Sequence, residues 1–334
     1  MALALTIGNE KVGGVDSMQP FSFKLKTDLR FGVGITKNMA NLLRDCGFCK
    51  VGVIIDAGVL KNNAAHELIN NLKQSCTIEK IFENRVSEPD YDYLDECKKE
   101  FFGTSVNCLI GIGGGSTLDL TKGIAALVKN PGKAIHYRGF NLLKNPSLPI
   151  VAIPTTAGTG SEVTPYAVFI DRNEKRKLGI NSDYNIPRLA VLDPLLTLSC
   201  PRSVTVSSGM DALTHAVESF VAKGATPISK MFSKNAFSLI FNNLSKVVDD
   251  MGNIDVRSKL LLGSHYAGVA LMNSGAGPAG AMSYPLGVHY NVPHGLAGAV
   301  FLPKVVKFNV RSGCEDYMEI YDLIDNVDKN LSVS

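Results

Sequence analysis

Asp211 and His215 stand four residues apart in Gly209-Met-Asp-Ala-Leu-Thr-His-Ala-Val-Glu218. On a helix both side chains would project from one face and could hold one divalent cation. His294, between Pro293 and Gly295 far downstream, offers a third donor. A carboxylate with imidazoles suits Fe(II) or Zn, whereas Mg prefers more oxygen. Alone, such an Asp and His pair is more often a surface or buried hydrogen bond than a metal site.

Two further loops carry chemistry of another kind. Ile112-Gly-Gly-Gly-Ser-Thr-Leu-Asp-Leu-Thr-Lys-Gly123 follows a strand-like run and opens a helix-like one. Its glycines let a ligand approach the backbone. The free N–H groups at the helix start, with Ser116 and Thr117, could hold a pyrophosphate. A plain strand-to-helix turn, with Ser116 as N-cap and Asp119 closing a capping box, explains the same residues. Pro154-Thr-Thr-Ala-Gly-Thr-Gly-Ser-Glu-Val-Thr164 places hydroxyls and glycines after another strand, where ligands bind in open α/β sheets. Asp56, at the end of VGVII, is placed to accept hydrogen bonds from a ribose diol and to repel a 2′-phosphate, although an Asp there also caps helices.

The elements that must position these residues are legible from periodicity. Val51–Ile55, Val106–Ile112, Leu148–Ile153 and Leu189–Leu192 are continuous apolar runs of strand length separated by helix-patterned stretches. Strands apolar on both faces imply a parallel sheet covered by helices. YAVFI and KLGI, flanking Asp171–Arg176, read as a hairpin. Beyond Leu192-Asp-Pro194 the pattern becomes helical, over Gly209–Ala222, Ile228–Asp250 and Val256–Met272. The expected architecture is an α/β dinucleotide-binding domain over 1–193, with a doubly wound, mostly parallel sheet. An all-α domain over 194–334 follows, short at its C terminus.

Composition narrows the partners. The chain has 334 residues, with 34 Lys and Arg against 31 Asp and Glu. That near balance, without basic runs, leaves no electrostatic footprint for nucleic acid. No apolar stretch reaches the roughly 18 residues of a membrane span, and the N terminus lacks a signal-peptide layout. A cytoplasmic location is expected. Seven cysteines at irregular spacing fit reduced thiols, and Cys46-Gly-Phe-Cys49 reads as two packed thiols rather than a redox or zinc motif.

From about Phe31 to Asn309 the chain resembles the iron-containing (group III) alcohol dehydrogenase family. The stretches that carry the resemblance are GGGSTLDLTKG, PTTAGTGSEVTPYAVF, LDP, GMDALTHAVES and YPLGVHYNVPHGLAGAVFLP, in that order. It implies NAD, less so NADP, and a catalytic divalent metal in a cleft between the two domains, with hydride passing between an alcohol carbon and the nicotinamide. The pyrophosphate loop falls on Gly113, Gly114, Gly115 and Ser116, with Asp119. Ribose and nicotinamide contacts fall on Asp56, Thr155, Thr156, Thr159, Ser161 and Val163. Metal ligands fall on Asp211, His215 and His294. The expected partner is a small alcohol, polyol or hydroxy acid, or its aldehyde, and the expected assembly is a homodimer.

The pattern departs from the family at two positions. The remaining ligand position is Gly280, which has no donor, and a position where many members carry a proton-relaying His is Tyr284. A water or substrate oxygen could complete the metal, the site could be degenerate, or His289 could substitute. The alternative function is accordingly a redox-impaired homologue that binds dinucleotide as a sensor or regulator. A lyase resembling dehydroquinate synthases fits the helical motifs less well. Members also usually continue further in helices beyond the point where this sequence stops.

Overall fold

The computed structural model describes residues 20–327. In chain order the α/β part runs β1 (Asp28–Phe31), α1 (Met39–Asp45), β2 (Lys50–Asp56), α2 (Asn63–Ser75), β3 (Thr77–Asn84), α3 (Tyr91–Cys97), β4 (Cys108–Gly113) and α4 (Gly115–Lys129). It continues through β5 (Gly139–Phe140), β6 (Ile150–Pro154), β7 (Val168–Asp171), β8 (Arg176–Asn181) and β9 (Leu189–Leu192). Six strands form one parallel sheet in the order β1-β9-β6-β4-β2-β3. β7 and β8 pair antiparallel as the expected hairpin, with β5 added alongside β8.

The continuous apolar strands are explained by burial on both sides. Val51, Val53, Ile55, Ile110 and Ile112 pack with Met39, Leu43, Leu68 and Leu72 of α1 and α2. The alternate residues Ile54, Leu109 and Ile150 pack with Leu94 of α3 and with Leu120 and Ile124 of α4. The period-2 alternation of a strand therefore feeds two cores rather than one core and solvent. Gly52 and Gly123 are sites of close approach: a Cβ would lie 2.6 Å from Phe101 at the first and 2.7 Å from Phe169 at the second.

At Asp193 strands give way to helices. Its fully buried carboxylate accepts from the N–H groups of Gly34, Thr36 and Leu195 and from the Thr36 hydroxyl, tying the start of the second half to the first. The helices are α5 (Arg202–Val221), α6 (Pro227–Asp249), α7 (Ile254–Ser274), α8 (Pro278–Tyr290), α9 (His294–Arg311) and α10 (Tyr317–Tyr321). α5, α6, α7 and α9 share a third core built on Ala212, Ala216, Phe220, Phe237, Leu260 and Leu302. Among the described residues no helix is long and apolar enough to cross a membrane. All seven cysteines are free thiols.

The two halves meet through bare backbone. A Cβ at Gly160, in the loop after β6, would lie 2.6 Å from Gly268 Cα on α7, and one at Gly158 would lie 2.7 Å from Ser208 Cβ on α5. Gly160 also has φ +64°, in the left-handed region that a side chain disfavours.

Candidate active site

Three strand ends lie side by side at the carboxyl edge of the sheet. Ile55 of β2 is in register with Ile112 of β4, and Gly113 is in register with Pro154 of β6. This brings Asp56, the glycine loop and the Thr155–Thr164 loop together. A Cβ on Gly113 would sit 3.0 Å from Asp56 Cβ, and one on Gly114 would meet Thr156 at 3.3 Å. One on Gly115 would sit 2.5 Å from Thr159 Cγ2. The Thr155 N–H donates to Gly113 O at 3.0 Å. The glycines are therefore needed for loop-on-loop packing as well as for exposing the N terminus of α4.

The roles inside this group divide by burial. The N-cap of α4 is Gly114, with no side chain capping, so the capping box expected of Ser116 and Asp119 is not formed. The Ser116 hydroxyl instead donates to Ser87 O. Asp119 turns inward, where its carboxylate accepts from the Ser161 hydroxyl at 2.6 Å and the Val168 N–H at 3.0 Å. Burial raises the Asp119 pKa against the opposing pull of Lys122. Val163 is likewise interior, packed where a Cβ on Gly268 would touch it. Asp56 remains half-exposed, with Oδ1 accepting from the Gly58 N–H at 2.7 Å.

Lys122, which periodicity did not single out, is fully buried and holds the second loop from behind. Its ammonium donates to Thr164 O at 2.9 Å and Tyr166 O at 2.8 Å, and burial pulls its pKa down to about 8. The signal was a lysine inside the apolar run LDLTKGIAALV, where a solvated charge has no place. Glu162 beside it pairs with His265 of α7 at 3.0 Å, a further tie between the halves.

The three metal-type residues lie together. Asp211 and His215 lie on one face of α5, and His294 opens α9. One donor atom from each lies within 4.8 Å of the others. Both imidazole Nε2 atoms stand 3.7 Å from Asp211 Oδ1, too far to donate a hydrogen bond. Three possible donor atoms within 4.8 Å of one another, with no hydrogen bond among them, fit a cation between them. Burial lowers the His294 pKa, with Asp211 opposing, which favours the neutral ring a metal requires.

Ser283 sets the tautomer of His294. Its hydroxyl donates to Gly280 O at 2.6 Å, so its oxygen, 2.6 Å from His294 Nδ1, accepts that nitrogen's proton and leaves Nε2 bare. Ser283→Ala is expected to weaken metal binding roughly tenfold in competition with a chromophoric chelator. Unchanged affinity would contradict the tautomer assignment.

Tyr284 and Glu218 stand next to this cluster and have contacts of their own. Tyr284 stacks on the His294 ring, with centroids 4.8 Å apart, and burial together with the Asp211 charge raises its pKa to about 12. Its phenol is a hydrogen-bond donor at neutral pH, not a base. Glu218, three residues beyond His215, accepts from the N–H groups of Gly277, Ala279 and Gly280 and so caps α8. A Cβ at Gly280 would meet Glu218 Oε2 at 3.4 Å. His289 is exposed and edge-on to Tyr290, outside the cluster, so it does not supply the missing ligand.

The glycine loop at the start of α4 and the carboxylate and imidazole cluster on α5 and α9 fall in the two halves that separate family models cover. Residues 26–194 match the family described as iron-containing alcohol dehydrogenase, and residues 205–332 match the C-terminal domain of the Fe-containing alcohol dehydrogenase family. The NAD-dependent methanol dehydrogenase of Bacillus methanolicus is 33% identical over 303 residues, 91% of this chain and 80% of that protein. The 1,3-propanediol dehydrogenase of Klebsiella pneumoniae is 34% identical over 277 residues, covering 82% and 72% respectively. The crystal structure of a 1,3-propanediol oxidoreductase superposes with a TM-score of 0.88 at 32% identity, over 94% of this chain and 82% of that one. A sulfoacetaldehyde reductase from Bifidobacterium kashiwanohense, in complex with NAD+, superposes with a TM-score of 0.80 at 29% identity, over 87% and 77%. The chain belongs to the iron-containing alcohol dehydrogenase family, and it is an oxidoreductase acting on alcohols.

Proposed function

We propose that the chain transfers hydride between a small alcohol, polyol or hydroxy acid and NAD, with Asp211, His215 and His294 holding a divalent ion, Fe(II) or Zn. The observation that carries this reading is the convergence of those three donors on α5 and α9, with the nucleotide loop packed against α5 at Gly158 and Ser208. Such an ion supplies Lewis-acid polarisation of the alcohol oxygen. The remaining work falls to the protein.

Gly113, Gly114 and Gly115 leave the α4 N terminus open for the pyrophosphate, with Ser116 at its edge. Thr155, Thr156 and Thr159 line the facing loop and orient the nicotinamide half. Asp119, Ser161 and Val163 hold that loop from behind. Tyr284, packed on His294, donates a hydrogen bond toward the substrate oxygen and shields the ligand from water. A cytoplasmic homodimer completes the reading.

Asp56 selects NAD over NADP by repelling a 2′-phosphate. Asp56→Gly is expected to improve NADP use relative to NAD by roughly tenfold or more, since it removes a like-charge contact. An unchanged ratio of kcat/KM for the two cofactors would place the ribose elsewhere. The function as a whole is tested by NAD-coupled turnover across alcohols, polyols and hydroxy acids with metal-replete protein. Tight NAD binding without turnover on any of them would instead support the sensor reading that Gly280 suggests.

A further inference from the structure

Cys46 ends α1 and packs against the core under α1 and α2, whereas Cys49 is exposed just before β2. Cys76 follows α2 in extended conformation, just before β3. β2 and β3 run parallel with Lys50 opposite Thr77 and Val51 opposite Ile78, and the Thr77 N–H donates to Cys49 O at 2.9 Å. Cys49 and Cys76, one residue ahead of that first pair, therefore stand opposite each other at the amino end of the ladder. Neighbouring strands lie about 4.8 Å apart, inside the roughly 4.4–6.8 Å of Cα separation that a disulfide spans. Both side chains leave the same face of the sheet. Cys49 is two residues before Val51 and Cys76 two before Ile78, and Val51, Ile78 and Cys76 all pack in the core under α1 and α2. Neither sulfur has a strong partner: Cys49 Sγ accepts from Asn107 Nδ2 at 3.6 Å, and Cys76 Sγ donates to Leu72 O at 3.2 Å. Rotation about one side-chain bond in each releases them. Burial and then the neighbouring Cys49 raise the Cys76 pKa, so the two thiols sense each other. Cys108 lies opposite Val51 in β4, two strands from β3, and at about 9.6 Å is beyond disulfide reach of Cys76.

We propose that Cys49 and Cys76 are a reversible redox pair, closed to a disulfide by exchange with a small-molecule disulfide of the glutathione type. The exposed Cys49, as thiolate, attacks one sulfur of the small disulfide, whose S–S bond breaks and releases one thiolate. Cys76, after giving its proton to solvent, attacks Cys49 Sγ in the mixed disulfide and expels the second thiolate. Two protein thiols become one disulfide and the small disulfide becomes two thiols, so no other oxidant enters. The bond closes residues 49–76 into a loop that contains Asp56 and α2. It sits at the amino edge of the sheet, about 23 Å along β2 from Asp56 at roughly 3.3 Å of rise per residue. Closure therefore stabilises the β2–α2–β3 unit by restricting its unfolded chain, without obstructing the carboxyl edge.

The test uses full-length reduced protein incubated with oxidised glutathione, alkylated, and digested without reduction for peptide mapping. The wild type is expected to yield peptides joined through Cys49 and Cys76, to lose two of its seven alkylatable thiols, and to unfold roughly 5 °C higher than the reduced protein. Cys76→Ser is expected to stop at a glutathione adduct on Cys49, with no rise in unfolding temperature. Cys46→Ser is expected to form the bond as the wild type does. A link between Cys46 and Cys49 in the wild type, a lasting glutathione adduct on Cys49 beside an alkylated Cys76, or seven thiols still alkylatable overturns the proposal. A Cys49 to Cys76 link that leaves the unfolding temperature unchanged overturns its stabilising role.

Discussion

Asp211→Ala is expected to lower kcat/KM roughly a thousandfold, about 4 kcal/mol of transition-state stabilisation, and to abolish tight metal binding. Asp211 Oδ1 is the atom both imidazoles face, at 3.7 Å each, and it provides the only negative charge in the three-donor cluster. Without it the two neutral rings must hold a dication unaided in a largely buried setting, where an unscreened charge is costly. NAD affinity should survive, because the glycine loop and the Thr155–Thr164 loop are positioned by Asp119, Lys122 and the sheet register rather than by Asp211. Parallel NAD titration and steady-state kinetics separate the two effects. A variant that loses NAD binding as well would show that the halves are less independent than this assignment requires.

Gly295→Ala, the addition of one methyl group, is expected to reduce metal affinity a hundredfold or more and stability by about 2–3 kcal/mol. The new Cβ would lie 1.9 Å from Ser207 O and 2.8 Å from Asp211 Cβ. The first contact is with helix backbone, which cannot rotate away, so α9 must move off α5 and carry His294 with it. Gly298, one turn further along α9, provides the control. Its Cβ would meet only Thr214, at 3.6 Å from Oγ1 and 3.7 Å from Cγ2, which are ordinary contacts. Gly298→Ala should therefore be neutral, or more stable by up to about 1 kcal/mol through helix propensity. Thermal unfolding and metal titration of the two variants together decide the point. Similar behaviour would refute the close α5 to α9 packing.

The sequence pattern revealed the central strands because they are apolar on both faces, and it placed β2, β4, β6 and β9 within a residue or two. The outer strands escaped it. β1 is four residues long, and β3, TIEKIFEN, shows mainly half-buried and exposed positions, as an edge strand does. α8 and α9 were visible as motif rather than as helices, since Pro285 and Pro303 interrupt the usual helical signature.

At the site, residue type and spacing singled out Asp211, His215 and His294, which the structure brings within 4.8 Å of one another. Type and spacing could not distinguish residues that face a ligand from residues that support the facing ones. Asp119, on α4, and Ser161, in the loop after β6, stand in the same motifs as more exposed hydroxyls, yet they bond to each other in the interior. Ser283 and Glu218 were not singled out because their work is done through backbone atoms of α8 and through His294, contacts that no sequence spacing encodes.

The central claim is that Asp211, His215 and His294 hold the ion on which hydride transfer to NAD depends. Its most direct test is the metal content of anaerobically prepared protein, measured by inductively coupled plasma mass spectrometry on wild type and Asp211→Ala side by side. The account predicts Fe or Zn near one equivalent per chain in the wild type and loss of that equivalent in the variant. Wild-type protein without metal after anaerobic reconstitution, or a variant that retains its full equivalent, would contradict it.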